Sequence, residues 1–296
     1  MTPATPTVGG GGDGGSLRAR LESVQNRVAE AARKSGRQPG DILIVAVTKY
    51  AAPEQIRELL TLGHGDFAEN RVQSLAKRVA MMDEFIARHQ LLADHGGAKV
   101  PRRIRWHMIG HLQRNKVKQA VDVVNLIHSV DSLRVAEEIQ EAAARRDKPV
   151  EVLLQVNASN ELQKHGVALP AALHLAEQIE SMSNMRLRGL MAMGPMTGDQ
   201  ALIADAFERA RDCFDEIRKA GSNVKNFDIL SMGMSGDFEL AIAAGANLAR
   251  LIDELALAGK KIAVEKNGEI VPRSRYPETT LADGDRLEIV VAVGGG

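Results

Sequence analysis

The ten residues Asp41 to Tyr50, D-I-L-I-V-A-V-T-K-Y, run apolar and largely β-branched from Ile42 to Val47 and close on a lysine. Apolar residues do not alternate with polar ones here, and a short continuous run of this kind suits a strand buried on both faces, as in a parallel sheet. Lys49 falls where that strand should end. A lysine emerging from a dry strand end is partly stripped of water, which leaves its amine ready to attack a carbonyl carbon. Taken alone, a surface lysine at a strand terminus is the commoner case.

Working outward, the same unit recurs along the chain. Strand-like runs stand at Asp66 to Asn70, Arg103 to Gly110, Val124 to Val130, Val150 to Asn157, Met185 to Met193, Asn226 to Met232 and Ala246 to Ile252. Amphipathic segments fill the gaps at Pro53 to Leu60, Arg71 to Leu92, His111 to Ala120, Ser132 to Arg146, Leu169 to Ser183, Ala201 to Ala220 and Asp237 to Ala244. A further helix precedes the first strand, capped by Ser16, with Leu17, Leu21, Val24, Val28 and Ala31 at helical spacing and Gly36 as its stop. Eight βα units over about 240 residues favour a (β/α)8 TIM-type barrel over an open doubly wound sheet.

Composition narrows the function. Lys and Arg number 38, as do Asp and Glu, so the formal net charge is zero and no field draws nucleic acid or an anionic membrane. The single cysteine, Cys213, excludes an internal disulfide framework and agrees with a reducing compartment; its place in a helical pattern makes it a core or near-surface thiol. No apolar run approaches the ~20 residues of a membrane-spanning helix, and the N-terminus lacks the order of a signal peptide. The expectation is a soluble, cytoplasmic protein. Residues 1–15, rich in Gly, Pro and Thr, have almost nothing to bury and read as a disordered tail.

In a barrel of this type function gathers at the C-terminal strand ends. Those ends carry Thr48 and Lys49, Glu69 and Asn70, His107 to His111, His128 to Asp131, Asn157, Met191 to Met193, and the segment S-M-G-M-S from Ser231 to Ser235. The last is the most informative. Ser231 and Ser235 offer hydroxyl donors, Gly233 lets backbone approach an oxyanion, and a helix starting near Asp237 would point its first amides to the same place. Ser235 as an ordinary helix cap is the competing account. An amine at one rim position and an anion cradle at another suggest a cofactor with both an aldehyde and a phosphate, which pyridoxal 5'-phosphate satisfies.

Seven segments in order, V-T-K-Y (47–50), F-A-E-N-R-V-Q (67–73), W-H-M-I-G-H-L-Q-R-N-K (106–116), H-S-V-D (128–131), K-H-G (164–166), R-G-L-M-A-M (188–193) and L-S-M-G-M-S (230–235), resemble the YggS/PROSC family of pyridoxal-phosphate homeostasis proteins. The resemblance runs from about Ser16 to Ala249. It implies a barrel like the alanine racemase N-terminal domain, spanning 16–252, which holds the cofactor as an aldimine on the lysine matching Lys49 and has no established turnover. It further implies that Asn70 neighbours the cofactor, that Met193 walls the pocket, that Ser231 and Ser235 bind phosphate, and that Arg250 matches the arginine of the family's last motif. The partners so implied are apoenzymes that depend on pyridoxal phosphate. After Arg250 the pattern breaks, with Ile252 and Asp253 where the family carries Gly and then Thr or Ser. A β-branched residue and a carboxylate there would oppose phosphate binding.

From Leu248 onward the chain is similar to ThiS, the ubiquitin-like sulfur carrier of thiamine biosynthesis. Residues Lys261 to Glu265 and Glu269 to Val271 read as strands around Asn267-Gly268, and Arg286 to Val293 as a strand after Asp283-Gly284. Gly294 to Gly296 form an end without side chains, able to present the Gly296 carboxylate as a thiocarboxylate precursor to a ThiF-like adenylating enzyme and, beyond it, a thiazole synthase. A whole ThiS module begins with a β-hairpin before its helix, and none precedes Leu248. Residues 253–296 therefore read as a partial β-grasp-like fragment, docked on the barrel over an open eighth position or only partly ordered.

The remaining features have structural readings. His107 and His111 stand four apart like a metal pair, but no third ligand follows at suitable spacing, so no metal site is expected and His107 reads as a polar residue of the rim. The charges of Arg71 to Arg88 read as a solvated helix face, and Met81, Met82, Met191, Met193, Met232 and Met234 as adaptable core or pocket filling. A racemase-like enzyme is the rival to cofactor homeostasis. It is thought to need a second base facing the lysine, usually a tyrosine, and the tyrosines here are Tyr50 and Tyr276.

Overall fold

The computed structural model describes residues 15–93, 100–146, 148–161, 163–220, 226–251, 262–266, 269–271 and 287–291. Apart from Gly15 the expected N-terminal tail lies outside them, as do Ile252, Asp253, Tyr276 and Gly296.

The strands are β1 (Leu43–Val47), β2 (Asp66–Glu69), β3 (Arg105–Met108), β4 (Leu126–Val130), β5 (Val150–Asn157), the two-residue β6 (Val167–Ala168), β7 (Met185–Ala192), β8 (Ile229–Ser231) and β9 (Leu248–Leu251). β1 pairs with β2, β2 with β3, β3 with β4, β4 with β5, β5 with β7, β7 with β8 and β8 with β9, all parallel. β9 then pairs with β1, from Leu43 opposite Leu248 to Ala46 opposite Leu251. That last pairing closes an eight-stranded barrel, with β6 appended to the end of β5. The helices are α1 (Leu17–Lys34), α2 (Pro53–Thr61), α3 (Val72–Ala93), α4 (Val117–Val121), α5 (Leu133–Ala143), α6 (Leu169–Glu180), α7 (Gln200–Ala220) and α8 (Phe238–Ala243).

Two apolar layers sort the side chains. Ala46, Phe67, Ile127, Val152, Leu154 and Leu190 point outward into the large core beneath the helices. Val45, Val47, Ala68, Leu126, Leu153 and Met191 form a second cluster inside the barrel. The unbroken apolar run at 42–47 is thereby explained: neighbouring residues face opposite ways, and both ways are dry. At the N-terminus Ser16 Oγ accepts the Ala19 amide hydrogen at 3.3 Å, and α1 lays Leu17, Leu21, Val24, Val28, Ala31 and Ala32 against the core. Cys213 is buried in α7, and burial pushes its thiol up to about 11, so it resists thiolate chemistry. Met81 departs from expectation, being 38% exposed, whereas Met82 is fully buried.

The C-terminal strands β10 (Ile262–Lys266), β11 (Glu269–Val271) and β12 (Leu287–Val291) form a separate antiparallel sheet in the order β11-β10-β12, close to the strands read from the sequence. The eighth barrel position is not open: Leu248–Leu251, where the ThiS resemblance begins, fill it as a strand.

Gly189 interrupts β7 at φ +149°, and a Cβ built on it would stand 1.8 Å from the Ile229 carbonyl oxygen of β8. Gly189→Ala must push β7 from β8 and strain the backbone, at a cost of about 2–4 kcal/mol. A denaturant midpoint unchanged from the wild type would contradict this packing.

Candidate functional site

Lys49 owes its position to a ladder that outlasts β1. The Thr48 amide donates to the Ala68 carbonyl at 2.9 Å, and the Thr48 hydroxyl, fully buried, lies 2.6 Å from Glu69 Oε1. The next residue is thus delivered to the barrel mouth, where Lys49 is half-buried with Nζ 4.9 Å from the centre of the Tyr50 ring. Glu69 is sealed beneath it. Arg78 of α3 donates to Glu69 Oε1 at 2.5 Å, while Glu69 Oε2 is buried with no hydrogen-bond partner. Burial pushes the Glu69 carboxyl above its ordinary range, opposed by the Thr48 hydroxyl, Arg78 and the charge of Lys49. Arg78 is only 16% exposed, so it is an exception to the solvated face expected of 71–88.

All barrel strands run the same way, so the residues after β8 share this mouth with Lys49, separated from it by β9 alone. At the usual strand spacing that is about 10 Å. Ser231 is fully buried. Gly233 sits at φ +87°, and a Cβ there would come within 2.8 Å of Phe238 Cα, so the loop lies flat on α8. The N-cap residue of α8 is Asp237, whose Oδ1 accepts the Met234 amide hydrogen at 2.5 Å; Ser235 is half-buried and does not occupy the cap position. α8 has only six residues, so the anion-attracting helix start expected from the sequence reduces to the loop itself. Met193, half-buried after β7, packs against the inner cluster. Asn70 lines a cavity of about 390 Å³ with Arg71, Gln73, Gly110, His111 and Lys116. Arg250 stands in β9 opposite Val45.

The sequence reading missed a polar chain inside the barrel. His107 is not at the rim: it is 3% exposed, with Nδ1 2.9 Å from His128 Nε2 and Nε2 3.3 Å from Asp66 Oδ1. His128 Nδ1 in turn lies 3.1 Å from Ser231 Oγ, across the lumen from β4 to β8. Arg105 anchors the other end, with Nε 2.7 Å from Asp66 Oδ1 and Nη2 2.7 Å from Oδ2. Burial acts to raise the Asp66 carboxyl, but His107 and Arg105 hold it below its ordinary value. The available signal was a histidine inside each of two strands whose neighbouring residues are largely apolar, Trp106 and Met108 in β3 and Leu126, Ile127 and Val130 in β4.

His111 does not pair with His107. Its Nδ1 is 3.4 Å from Asp131 Oδ2, and His165 Nδ1 is 3.8 Å from the same oxygen. Among the described residues these three form a group compact enough for a metal ion, a trio the spacing in sequence did not reveal. Their rings, however, stack at 4.2 Å and 16°. A ring nitrogen binds metal in its own ring plane, and two nearly parallel stacked planes share no such point, so an ion would require one ring to turn. This arrangement is an imidazole stack beside a carboxylate, not a preformed metal centre.

A closed parallel barrel with a lysine at the end of its first strand and an anion-compatible loop after its seventh defines the class of the alanine racemase N-terminal domain, whose family model matches residues 20–251. The chain belongs to the pyridoxal phosphate homeostasis proteins of that class. It is 36% identical over 236 residues to the one from Helicobacter pylori, covering 79% of this chain and 95% of that protein, and 31% identical over 231 residues to the one from Escherichia coli, covering 78% and 92%. Among solved structures, PipY of Synechococcus elongatus with PLP bound shares 29% identity at a TM-score of 0.63, covering 81% of this chain and 99% of that one. An alanine racemase from Clostridium difficile, 15% identical at a TM-score of 0.58, shares the fold. The ThiS family model matches residues 231–296, so 231–251 answer to both descriptions; here they fold as the last residue of β8, α8 and β9.

The Glu69 carboxyl supplies a pH test. Because its folded pKa is raised above the ordinary carboxylate value of about 4.5, the native state binds that proton more tightly, and stability falls as pH rises from about 4.5 through the raised value. Glu69→Gln should flatten this part of the curve, read as the denaturant midpoint between pH 4 and 8. An identical slope in both proteins would place Glu69 in a wetter setting than described.

Proposed function

We propose that the protein binds pyridoxal 5'-phosphate, with Lys49 as its covalent anchor, and serves intracellular homeostasis of the cofactor without catalytic turnover. The observation that carries this reading is the half-buried Lys49 amine sharing a barrel mouth with the Ser231–Ser235 loop, in a chain of a family named for that role. The residues suit the group. A primary amine stands in a partly dry site, Ser231 and the Gly233 backbone form a small polar cradle, and Asn70 and Met193 flank the space. When bound, the cofactor supplies an aldehyde that condenses with a primary amine, with loss of water. Thr48 fixes the direction of Lys49, and Glu69 places a carboxyl near its amine. Asn70 supplies an amide for polar contact, and Met193 excludes water from one wall.

Arg250 belongs to this reading through its place in β9, and Ile252 and Asp253 follow after Leu251. The chemistry of this site needs no second base. Tyr50 adjoins Lys49 on the same strand end, the wrong side for a residue that would act opposite it, which supports storage or delivery over racemisation. The recipients of the cofactor would be apoenzymes that depend on it, in the cytoplasm. Among the described residues no helix is long and apolar enough to cross a membrane.

A second reading applies to the C-terminal part, where the ThiS match coincides with the β10–β12 sheet and a Gly-Gly end. In that reading the Gly296 carboxylate attacks the α-phosphate of ATP on a ThiF-like enzyme, releasing pyrophosphate, and a sulfur donor then displaces AMP to leave a thiocarboxylate for a thiazole synthase. The barrel spanning 16–252 and the segment 253–296 would then carry two separate tasks.

Purified protein given pyridoxal phosphate should develop an absorbance band above 380 nm, on the order of that shown by lysine-bound pyridoxal phosphate in general. Borohydride should fix the label to Lys49, and Lys49→Ala should abolish it. A band of full strength in Lys49→Ala would remove the anchor from this reading. For the tail, incubation with an adenylating partner, ATP and a sulfur source should exchange one oxygen for sulfur at Gly296 by mass spectrometry; an unchanged mass counts against the carrier role.

A further inference from the structure

We infer that His107 and His128 set the sense of the Ser231 hydroxyl, and that an anion without a proton of its own binds Ser231 only when this histidine pair takes one up. The inference rests on the phosphate site proposed above and follows from counting hydrogens along the chain Asp66, His107, His128, Ser231.

Asp66, held by two guanidinium nitrogens of Arg105, Nε and Nη2, is an acceptor, so His107 donates to it from Nε2. In a neutral imidazole the other nitrogen is then a lone pair, and His107 Nδ1 accepts from His128 Nε2. By the same rule His128 Nδ1 accepts, and its partner is the Ser231 hydroxyl. With both rings neutral every hydrogen in the chain points toward Asp66, and Ser231 presents only lone pairs to the mouth. A phosphate dianion also has only acceptors, so the two repel. One added proton reverses the chain. His107 then donates from both nitrogens, His128 donates from Nδ1 to Ser231 Oγ, and the hydroxyl hydrogen is released outward to the anion. The added charge rests between the Asp66 carboxylate and the bound anion, the two places that stabilise it.

The charged and titratable groups around the pair are identifiable. β2 brings Asp66 and Glu69, β3 brings Arg105, the turn before β2 brings the half-buried His64, β9 carries Arg250, and Lys49 stands at the end of β1. β5 contributes the uncharged Gln155, 3% exposed. Asp66 is held below its ordinary value, but Glu69 is pushed above it, so Glu69 stands beside the histidines as a group that could carry the proton, and the profiles are compared in a Glu69→Gln background to remove it.

The probe is sulfate, whose charge is fixed across this range, so any proton linkage belongs to the protein. Sulfate affinity of the full chain, measured by competition against pyridoxal phosphate absorbance, should fall with rising pH by up to about tenfold per unit. Calorimetry in buffers of unlike ionisation heat should show uptake of about one proton per site. His128→Asn should flatten the pH profile while sulfate still binds, and Ser231→Ala, a second variant that leaves the histidines in place, should flatten it too. The double variant His111→Ala, His165→Ala at the outer mouth should keep the slope. A flat wild-type profile without proton uptake, or a slope that survives in Ser231→Ala, overturns the inference while the cofactor reading stands. Absence of both the pyridoxal phosphate band and sulfate binding overturns that reading and this inference together.

Discussion

Everything in the barrel depends on the parallel pairing of β1 with β9, where Leu43–Ala46 meet Leu248–Leu251. A parallel sheet left open at that seam would expose two strand edges, each with unpaired backbone donors and acceptors. Closing it satisfies those groups and dries the inner cluster of Val45, Val47, Ala68, Leu126, Leu153 and Met191. It also sets β1 and β8 one strand apart. The distance between the amine of Lys49 and the loop after Ser231 is therefore fixed by backbone hydrogen bonding rather than by a flexible connection.

The lumen so formed is divided. One part is aliphatic and holds the strands together; the other is a line of polar side chains from Arg105 and Asp66 through two histidines to Ser231. A buried polar line is tolerated only when its members satisfy one another, and satisfaction in a row gives it a direction. The same economy governs Thr48, Glu69 and Arg78 under Lys49, except that Glu69 Oε2 is left without a partner. That orphaned oxygen lies in the part of the molecule where the cofactor reading places its chemistry.

Much of the architecture was legible in the chain because it is local. The strand read at Val150 to Asn157 forms with those bounds, and the Ser16 cap and the helix starting at Pro53 are where side-chain spacing put them. Lys49 and the 231–235 loop were legible because strand ends are marked by a switch from apolar to polar or small residues. The histidine chain was not, since His128 and Ser231 are 103 residues apart and meet only across a closed lumen. The trio of His111, Asp131 and His165 escaped for the same reason: three loops from three strands converge in a way no spacing along the sequence records. At the junction near Leu248, one segment suited two modules, and the sequence alone had no means to rank them; the hydrogen bonds to β1 do.

The double allegiance of residues 231–251 has a practical meaning for anyone who would take the molecule apart. A boundary drawn where the ThiS match starts would sever β8 at its last residue and carry away the serine loop, α8 and the stave β9, and the remaining hoop would spring open. Cut instead beyond Leu251, the hoop keeps every stave, and what is released, among the described residues, is the small antiparallel sheet.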